Sequence, residues 1–484
     1  MRGALRIGLQ LGLATLVAKP GNAQQPFDLD TTFRTTIQLS NVNYMLPLDD
    51  GSILVSGQVQ FPGDQGPRLG ARILHDGSLD TAYPLQTYSG GKLVAWNGRV
   101  YRGWVNTVRR TWLDGSLDND FISPDLSPYF TTGQGGDYHV YPDGRLLFSG
   151  LHILNDTIRG YVGTHELVWL SNQGYLDTTA HHRTANGPIY EIEQQPDGKF
   201  LCSGFITEYE GQPCEHIFRI HPDGERDTTF QTDLTWGEAN AFTTLPDGRI
   251  LVSGYLKRTG LPDTLQMLRL MADGSLDPTF NNALNAPDEV FGNYMLLRHT
   301  VLPDGRVVLH GNFHEVDGVD RNGIAVLSPD GYLEQGVFNG MGCGGFFDGV
   351  SPKHATLGMV QDPIGNWYIY GSYVGYDDGT TNDPQQRFVS RLYGLNVGVE
   401  EVDQPLQLQV YPNPTSGRVQ VQLPEGEQGA TLQVLDAQGQ VLRTELMHGN
   451  AHVLDLSEAA AGVYAVRVRT AQGGSGRATV VVQP

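Results

Sequence analysis

Cysteine is scarce: Cys202, Cys214 and Cys343 are the only three in a chain of 484 residues. That excludes a small disulfide-stapled scaffold, so apolar cores have to hold the fold. Cys202 and Cys214 flank one hairpin loop. Counting back from the loop centre sets Cys202 opposite about Phe218, which leaves a Cys202–Cys214 bridge open but not favoured. Basic charge is short as well, with 32 Lys and Arg against 53 Asp and Glu, a net −21. The first 23 residues carry +3 and the last 80 carry −1, which leaves −23 on residues 24–404. Such a surface repels nucleic acid and anionic membrane. Aspartates recurring in turns are the plain source of that charge; a cationic or divalent-metal partner is the other reading. Two further absences matter. No long Ala/Leu/Glu/Lys stretch with helical period follows the N-terminus, and no second apolar run reaches membrane-spanning length.

What is present points to strands and turns. Gly (61) and Pro (27) are abundant, and 39% of residues are apolar, enough for true cores. The chain opens with MRGALRIGLQLGLATLVAKPGNA. Arg2 and Arg6 precede an apolar run that is too short to anchor in a bilayer, and Gly21 and Ala23 supply the small residues of a cleavage site. Residues 1–23 are thus expected to be a signal peptide cut between Ala23 and Gln24, leaving a mature chain without a membrane span.

The middle of the chain is a repeat. Its first core reads DGSILVSG from Asp50, PDGRLLFSG from Pro142, PDGKFLCSG from Pro196, PDGRILVSG from Pro246 and PDGRVVLHG from Pro303, with degenerate copies WNGRVYRG from Trp96 and DPIGNWYIYG from Asp362. The turn glycines are Gly51, Gly98, Gly144, Gly198, Gly248, Gly305 and Gly365. A second core, such as ADGSLDPTF from Ala272, follows each of the first six but not the seventh. Asp-Gly between apolar runs makes a hairpin turn. The runs are apolar on both faces and need cover on both sides, which four-stranded sheets of about 50 residues packed around an axis provide. The expected fold class is all-β: a seven-bladed β-propeller over residues 24–394, followed by a small antiparallel β-sandwich. A sandwich array or solenoid is the alternative. The segment Phe27-Asp28-Leu29-Asp30-Thr31-Thr32-Phe33 reads as an orphaned second core, so residues 27–35 are expected to complete the seventh repeat around residues 366–393. In these cores the Asp (Asp30, Asp80, Asp177, Asp227, Asp277) is read as a turn residue bonding nearby amides and the following aromatic as an anchor, with calcium ligation as the alternative. The repeat resembles the delta-60 repeat of bacterial surface proteins, as in GNFHEVDGVDRNGIAVLSPDG from Gly311. That resemblance implies export and a propeller-like fold and no particular activity.

Residues 395–404 form a polar linker, and from 405 to 484 the pattern turns to alternating strands, as in RVQVQLP. The order of Tyr411-Pro412-Asn413-Pro414 with Gly417, the Asp436–Gly439 hairpin, and Gly462-Val463-Tyr464 resembles the type A sorting domain of the type IX secretion system of Bacteroidota. It implies a type IX translocon and sortase as partners and a secreted or outer-surface location, reached via the periplasm.

Catalytic signatures are missing. There is no G-x-S-x-G elbow, His165-Glu166 lacks the second histidine of a zinc helix, and Gly198-Lys199 lacks the phosphate-loop spacing. His181-His182 and Cys343 read as loop residues rather than as ligands or a reactive thiol. No catalytic, cofactor or metal residue is assigned. The expected function is binding or adhesion at the cell surface, with an unknown extracellular ligand for which glycan is the class named. A surface enzyme, hydrolase or lyase, with a site assembled from several blades is the alternative, and a structural surface-layer component is the third reading.

Overall fold

The structure is a computed structural model. It describes residues 27–483 except 128, 261–263, 288–296, 348–351, 354, 364, 394–407, 425–429, 436–440, 458 and 471–474. Ala23, Gln24, the linker at 395–404 and Gly439 lie outside the described residues. The chain divides into two compact units, Met1–Leu395 and Asn396–Pro484.

Among the described residues, the first unit contains seven three-stranded antiparallel sheets in chain order. Their first strands are Leu39–Pro47, Leu93–Trp96, Phe130–Val140, Ile189–Gln194, Leu234–Thr244, Leu297–Val301 and Ala355–Gln361. Their second strands are Ile53–Gln60, Arg99–Trp104, Leu146–Asp156, Phe200–Gly204, Ile250–Arg258, Val307–Gly311 and Trp367–Asp377. Their third strands are Arg68–Ile73, Thr107–Trp112, Tyr161–Leu170, Ile217–Ile220, Leu265–Leu270, Ile324–Leu327 and Asn382–Leu392. Each first-core turn glycine joins a first strand to a second with φ between 72° (Gly98) and 98° (Gly365), a region where glycine costs nothing. Cys202 sits opposite Phe218 in its sheet.

The double-faced apolar runs have a direct cause. In every full-length second strand, neighbouring side chains enter different cores. Leu251 joins the core shared by sheets five and six, while Val252 joins that of sheets four and five. Leu309 and Val308 divide in the same way between sheets five and six and sheets six and seven. The series returns on itself, for Tyr368 and Val389 of the seventh sheet share a core with Val55 and Ile73 of the first.

The second cores add a single bridge to each third strand, for example Leu270 to Leu276 and Leu327 to Leu333. For the seventh sheet that bridge comes from the other end of the chain, Leu29 to Leu392. Asp30 N donates to Arg391 O at 2.9 Å, and Tyr393 N to Asp28 O at 2.9 Å. Phe33 is fully buried and meets Tyr368 edge-on at 5.4 Å. The N-terminal segment is therefore the permuted outer segment that the repeat order requires.

In several sheets the same outer segment also staples the sheet to the next. Asp277 Oδ1 accepts from Thr279 N and Oγ1, and its Oδ2 accepts from Arg269 Nε at 2.7 Å and Arg249 Nη1 at 3.0 Å. Burial works against ionisation here, yet the bonds from Thr279 and Arg269 outweigh it and hold Asp277 well below the usual carboxylate range. Arg269 also lies 4.8 Å over the Phe280 ring and donates to Pro329 O in the next sheet's turn at 2.7 Å. Arg219 with Asp227 and Phe230 repeats this between sheets four and five. Arg391 with Asp30 and Phe33 repeats it from the seventh sheet to His75 O of the first, at 2.6 Å. The second-core glycine is needed for more than its φ: a methyl on Gly274 would lie 2.5 Å from Gln231 O of the preceding outer segment. At Gly248, a first-core turn, the nearest atom would be 3.8 Å away.

Replacing Arg269 with Ala leaves Asp277 a buried carboxylate that has lost a cation, and the expected cost is ~3–5 kcal/mol. Arg258→Ala, which removes the partner of the half-exposed Asp233, should cost less than ~1 kcal/mol. Urea unfolding reads both; equal midpoints for the two variants would show that the staple carries no stability.

The C-terminal unit packs two sheets over one core. Gln409–Tyr411, Arg418–Gln422 and Ala451–Asp455 form one; Val441–Met447, Ala430–Leu435, Gly462–Thr470 and Ser475–Val482 form the other. Val419 and Val421 face Leu432, Val466 and Val480, while Gln420 and Gln422 between them stay half-exposed.

Candidate functional site

The first strands of the seven sheets, or the residues next to them, surround one cavity of about 490 Å³. Its polar lining comes from Tyr44 in the first sheet, Lys92 beside the second, Asp137 in the third, Tyr190, Glu191 and Glu193 in the fourth, Arg298 in the sixth and Tyr370 in the seventh. Lys92 Nζ sits 3.0 and 2.9 Å from the two carboxylate oxygens of Asp137. Arg298 Nη2 lies 3.8 Å from Glu191 Oε2. Burial would lower the Lys92 pKa, but the Asp137 charge outweighs it and raises it, so this lysine stays charged. Burial pushes Glu191 up to about 8 against the pull of Arg298, and it raises Glu193 as well. Glu191 thus holds a proton more readily than a free carboxyl, with Arg298 opposing it. The charges in the cavity are mostly spent on each other, and what remains for a ligand is a set of hydroxyl and carboxyl donors and acceptors.

A run of aromatic rings leaves the rim at the end of the strands away from the glycine turns. Tyr190 meets Phe205 at 6.0 Å, Phe205 meets Trp236 at 6.1 Å, and Trp236 meets Tyr255 at 5.3 Å. Phe205 and Trp236 are 43% and 42% exposed, so part of each ring is open to a partner. Gln134 Nε2 holds the Tyr190 hydroxyl at 2.6 Å, and Lys257 covers Trp236 at 5.4 Å.

Among the described residues, no group of three His, Cys, Asp or Glu is placed to hold a metal ion. His182 is buried and accepts from Trp169 N at 3.2 Å, while His181 is exposed, so the two point apart. Cys343 is buried, and burial pushes its thiol up. The turn Asp residues bond the amides two residues on, as at Asp80 to Ala82 and Asp177 to Thr179.

Buried histidines make the body acid-sensitive. Burial lowers His152 and His310 to about 3 and His139, His182 and His299 to about 4. The unfolded chain takes up these protons near pH 6.5, whereas the folded chain refuses them until pH 4 or below. Stability is therefore full above pH 6.5 and falls toward pH 4, by up to ~1.4 kcal/mol per histidine per pH unit. Glu191, and Glu166 raised by burial to about 7, run the opposite way. The balance is a loss on the order of a few kcal/mol between pH 7 and pH 5. Urea midpoints at the two pH values check this, and equal midpoints would contradict it.

The residues singled out in the C-terminal unit gather on its last strand. Asn413 Nδ2 donates to Thr479 O at 2.6 Å, and Val481 N donates to Asn413 Oδ1 at 2.9 Å. Thr415 bridges Val482. Gly417, at φ 155°, lies against Ser457, and Gly462 opens the strand whose Tyr464 hydroxyl donates to Ala460 O. Tyr411 is about half exposed. Residues 409–483 match the secretion system C-terminal sorting domain. The C-terminal unit is a type IX secretion sorting domain. This sorting domain directs the chain to the cell surface or the medium through the type IX machinery. In the first unit, residues 195–230, 245–280 and 302–334 match the DUF5122 β-propeller domain of unknown function, so the repeat body is of the β-propeller class.

No curated protein matches the chain. Among solved structures it is similar to PorZ, a surface component of the type IX secretion system of Porphyromonas gingivalis (12% identity, 90% of this chain and 64% of that one, TM-score 0.33). It is also similar to the extracellular domain of a hybrid two-component system of B. thetaiotaomicron (11%, 92% and 56%, TM-score 0.38). A third likeness is to a fungal alcohol oxidase in complex with copper (11%, 95% and 100%, TM-score 0.33). The chain thus spans less than two thirds of the first two, and these likenesses carry no information on its ligand.

The sequence reading missed the cavity residues. Tyr44, Asp137, Glu191 and Arg298 each stand seven residues before a turn glycine. That common phase, at a position where the repeats do not agree with one another, was the available signal.

Proposed function

We propose that the chain is a secreted or cell-surface binding protein. Residues 24–394 are its seven-bladed β-propeller, closed by residues 27–35, and carry the delta-60 type of repeat; 395–404 is the linker; 405–484 is a β-sandwich sorting domain read by the type IX translocon and sortase. The ligand is a neutral glycan held at the central cavity. The observation that carries this reading is the convergence of all seven sheets on one cavity whose charges pair internally, Lys92 with Asp137 and Arg298 with Glu191. A site of this kind does not attract a strongly charged ligand, and its free carboxyl and hydroxyl groups suit sugar hydroxyls. The aromatic faces of Phe205 and Trp236 next to the rim suit the apolar faces of pyranose rings.

Glu191 also supports a second reading. Burial raises the proton affinity of its carboxyl, the property a general acid needs, which a surface hydrolase or lyase would use. The two readings part on turnover: cleavage that is lost in Glu191→Gln selects the enzyme.

The test is a screen of neutral glycans, acidic glycans and divalent metals on the mature protein. Binding of a neutral glycan is expected, at least tenfold weaker in Trp236→Ala with the thermal midpoint unchanged. No glycan binding, or a hit indifferent to Trp236, removes the reading.

A further inference from the structure

The second sheet is built differently from its neighbours. Its strands have four, six and six residues, against eleven, eleven and ten in the third. Sheets four and six are also short, but each carries an extra hairpin, Glu208–Tyr209 with Gln212–Pro213 and Glu315–Val316 with Val319–Asp320. The second sheet instead turns directly from Trp104 to Thr107. The shortfall leaves a groove of about 410 Å³, lined in part by Gln58, Ser89, Gly90, Gly103 and Asn106. This groove shares Asn43, Lys92, Gly136 and Asp137 with the central cavity and so opens from it. On the far side of Trp104–Thr107 lies a third hollow of about 280 Å³, reaching Asp125, Phe130 and Thr132.

Two details mark the groove as a surface kept for contact. Gly90 has φ 129°, and a methyl group there would meet nothing within 4 Å, so bare backbone faces open space. Asn43 Nδ2 pins its carbonyl at 2.6 Å. Val105, at the turn between groove and outer hollow, has φ 48° and is 82% exposed. A β-branched residue is strained at positive φ, and here no packing of its side chain offsets the strain. Beside it, Trp104 meets Tyr88 edge-on at 5.1 Å, and Arg109 lies over both rings.

We infer that this groove is the path of an extended glycan chain, which runs from Lys92 and Asp137 in the cavity, over Gly90, and out past Val105 and Trp104. The inference rests on the neutral-glycan reading above and narrows it to chain-like ligands. The groove combines glycine backbone and the amide and hydroxyl groups of Gln58, Asn106 and Ser89 with the apolar side chains of Leu69 and Trp104, and this mixture accepts a run of sugar units, whose hydroxyls need polar partners and whose ring faces need apolar ones.

Calorimetry on the mature protein with cello-, xylo- and manno-oligosaccharides of two, four and six units tests it. In the series that binds, affinity is expected to rise at least tenfold from two units to six. Gln58 is exposed in the groove, and Gln58→Arg should bring the six-unit affinity down to the two-unit value while leaving the latter within twofold. Val105→Gly should raise the thermal midpoint and weaken the six-unit ligand several-fold. Equal affinity for two and six units, or a Gln58→Arg variant that keeps the length dependence, overturns the path while leaving glycan binding in place. No binding by any series or in the wider screen overturns the glycan reading itself.

Discussion

Deleting residues 24–35 is expected to lower the thermal midpoint of the repeat body by more than 10 °C and to cause aggregation on heating. The segment buries Phe27, Leu29 and Phe33 almost completely, each contributing ~1.5–3 kcal/mol. Its loss also strips Asp30 from Arg391, whose side chain is largely buried and paired at 2.7 Å. It further removes the backbone bonds of Asp30 and Tyr393 and the bond from the Tyr376 hydroxyl to Phe27 O. The total approaches the ~5–15 kcal/mol by which whole domains are stable. It also uncovers the Asn382–Leu392 strand as a free edge, a template for pairing with other chains. Removing ten residues of the 395–404 linker is the control, and it should shift the midpoint by no more than ~2 °C. A closure-deleted chain that melts with the control would mean that the seventh sheet does not depend on the N-terminus.

Deleting residues 405–484 should have an equally large effect on location and almost none on the body. The sorting domain has its own core around Val419, Leu432, Val466 and Val480, and among the described residues the cores of the seven sheets are built from residues of the first unit. Without the tag, the protein should collect in the periplasm, with at least a hundredfold less at the surface or in the medium. Its thermal midpoint should stay within ~2 °C of the body transition of the full chain. Cell fractionation and a thermal scan read both. Surface arrival without the tag would contradict its role in export; an unfolded truncated chain would contradict the division into two units.

Much of the architecture was legible in the sequence because the repeat writes its turns in glycine. The positive-φ positions at Gly51 to Gly365 and the orphaned core at Phe27–Phe33 give the number of sheets and the place where the chain ends meet. What stayed hidden were residues whose meaning appears only when sheets are stacked. Arg269 and Arg219 sit inside apolar runs, LQMLRL and IFRI, and look like interruptions there. Their partners are eight residues downstream and, through Pro329 O and Ala272 O, on the next sheet. Gly274 and Gly248 both follow Asp in the sequence, but only Gly274 lies against the preceding outer segment. The cavity charges were hidden for the opposite reason: a search for the repeat looks for agreement, and position seven before the turn is where the copies differ. Lys92 and Asp137 are 45 residues apart, in successive repeats, so no local motif joins them.

The central claim is that one ligand site is assembled at the hub by the whole ring. Hydrogen exchange with and without the glycan found in the screen tests it most directly. A hub site requires slowed exchange on binding in peptides covering Asn43–Tyr44, Gly90–Lys92, Gly136–Asp137, Tyr190–Glu193 and Arg298 together. Protection confined to a single sheet, or to the C-terminal sorting domain, would contradict it.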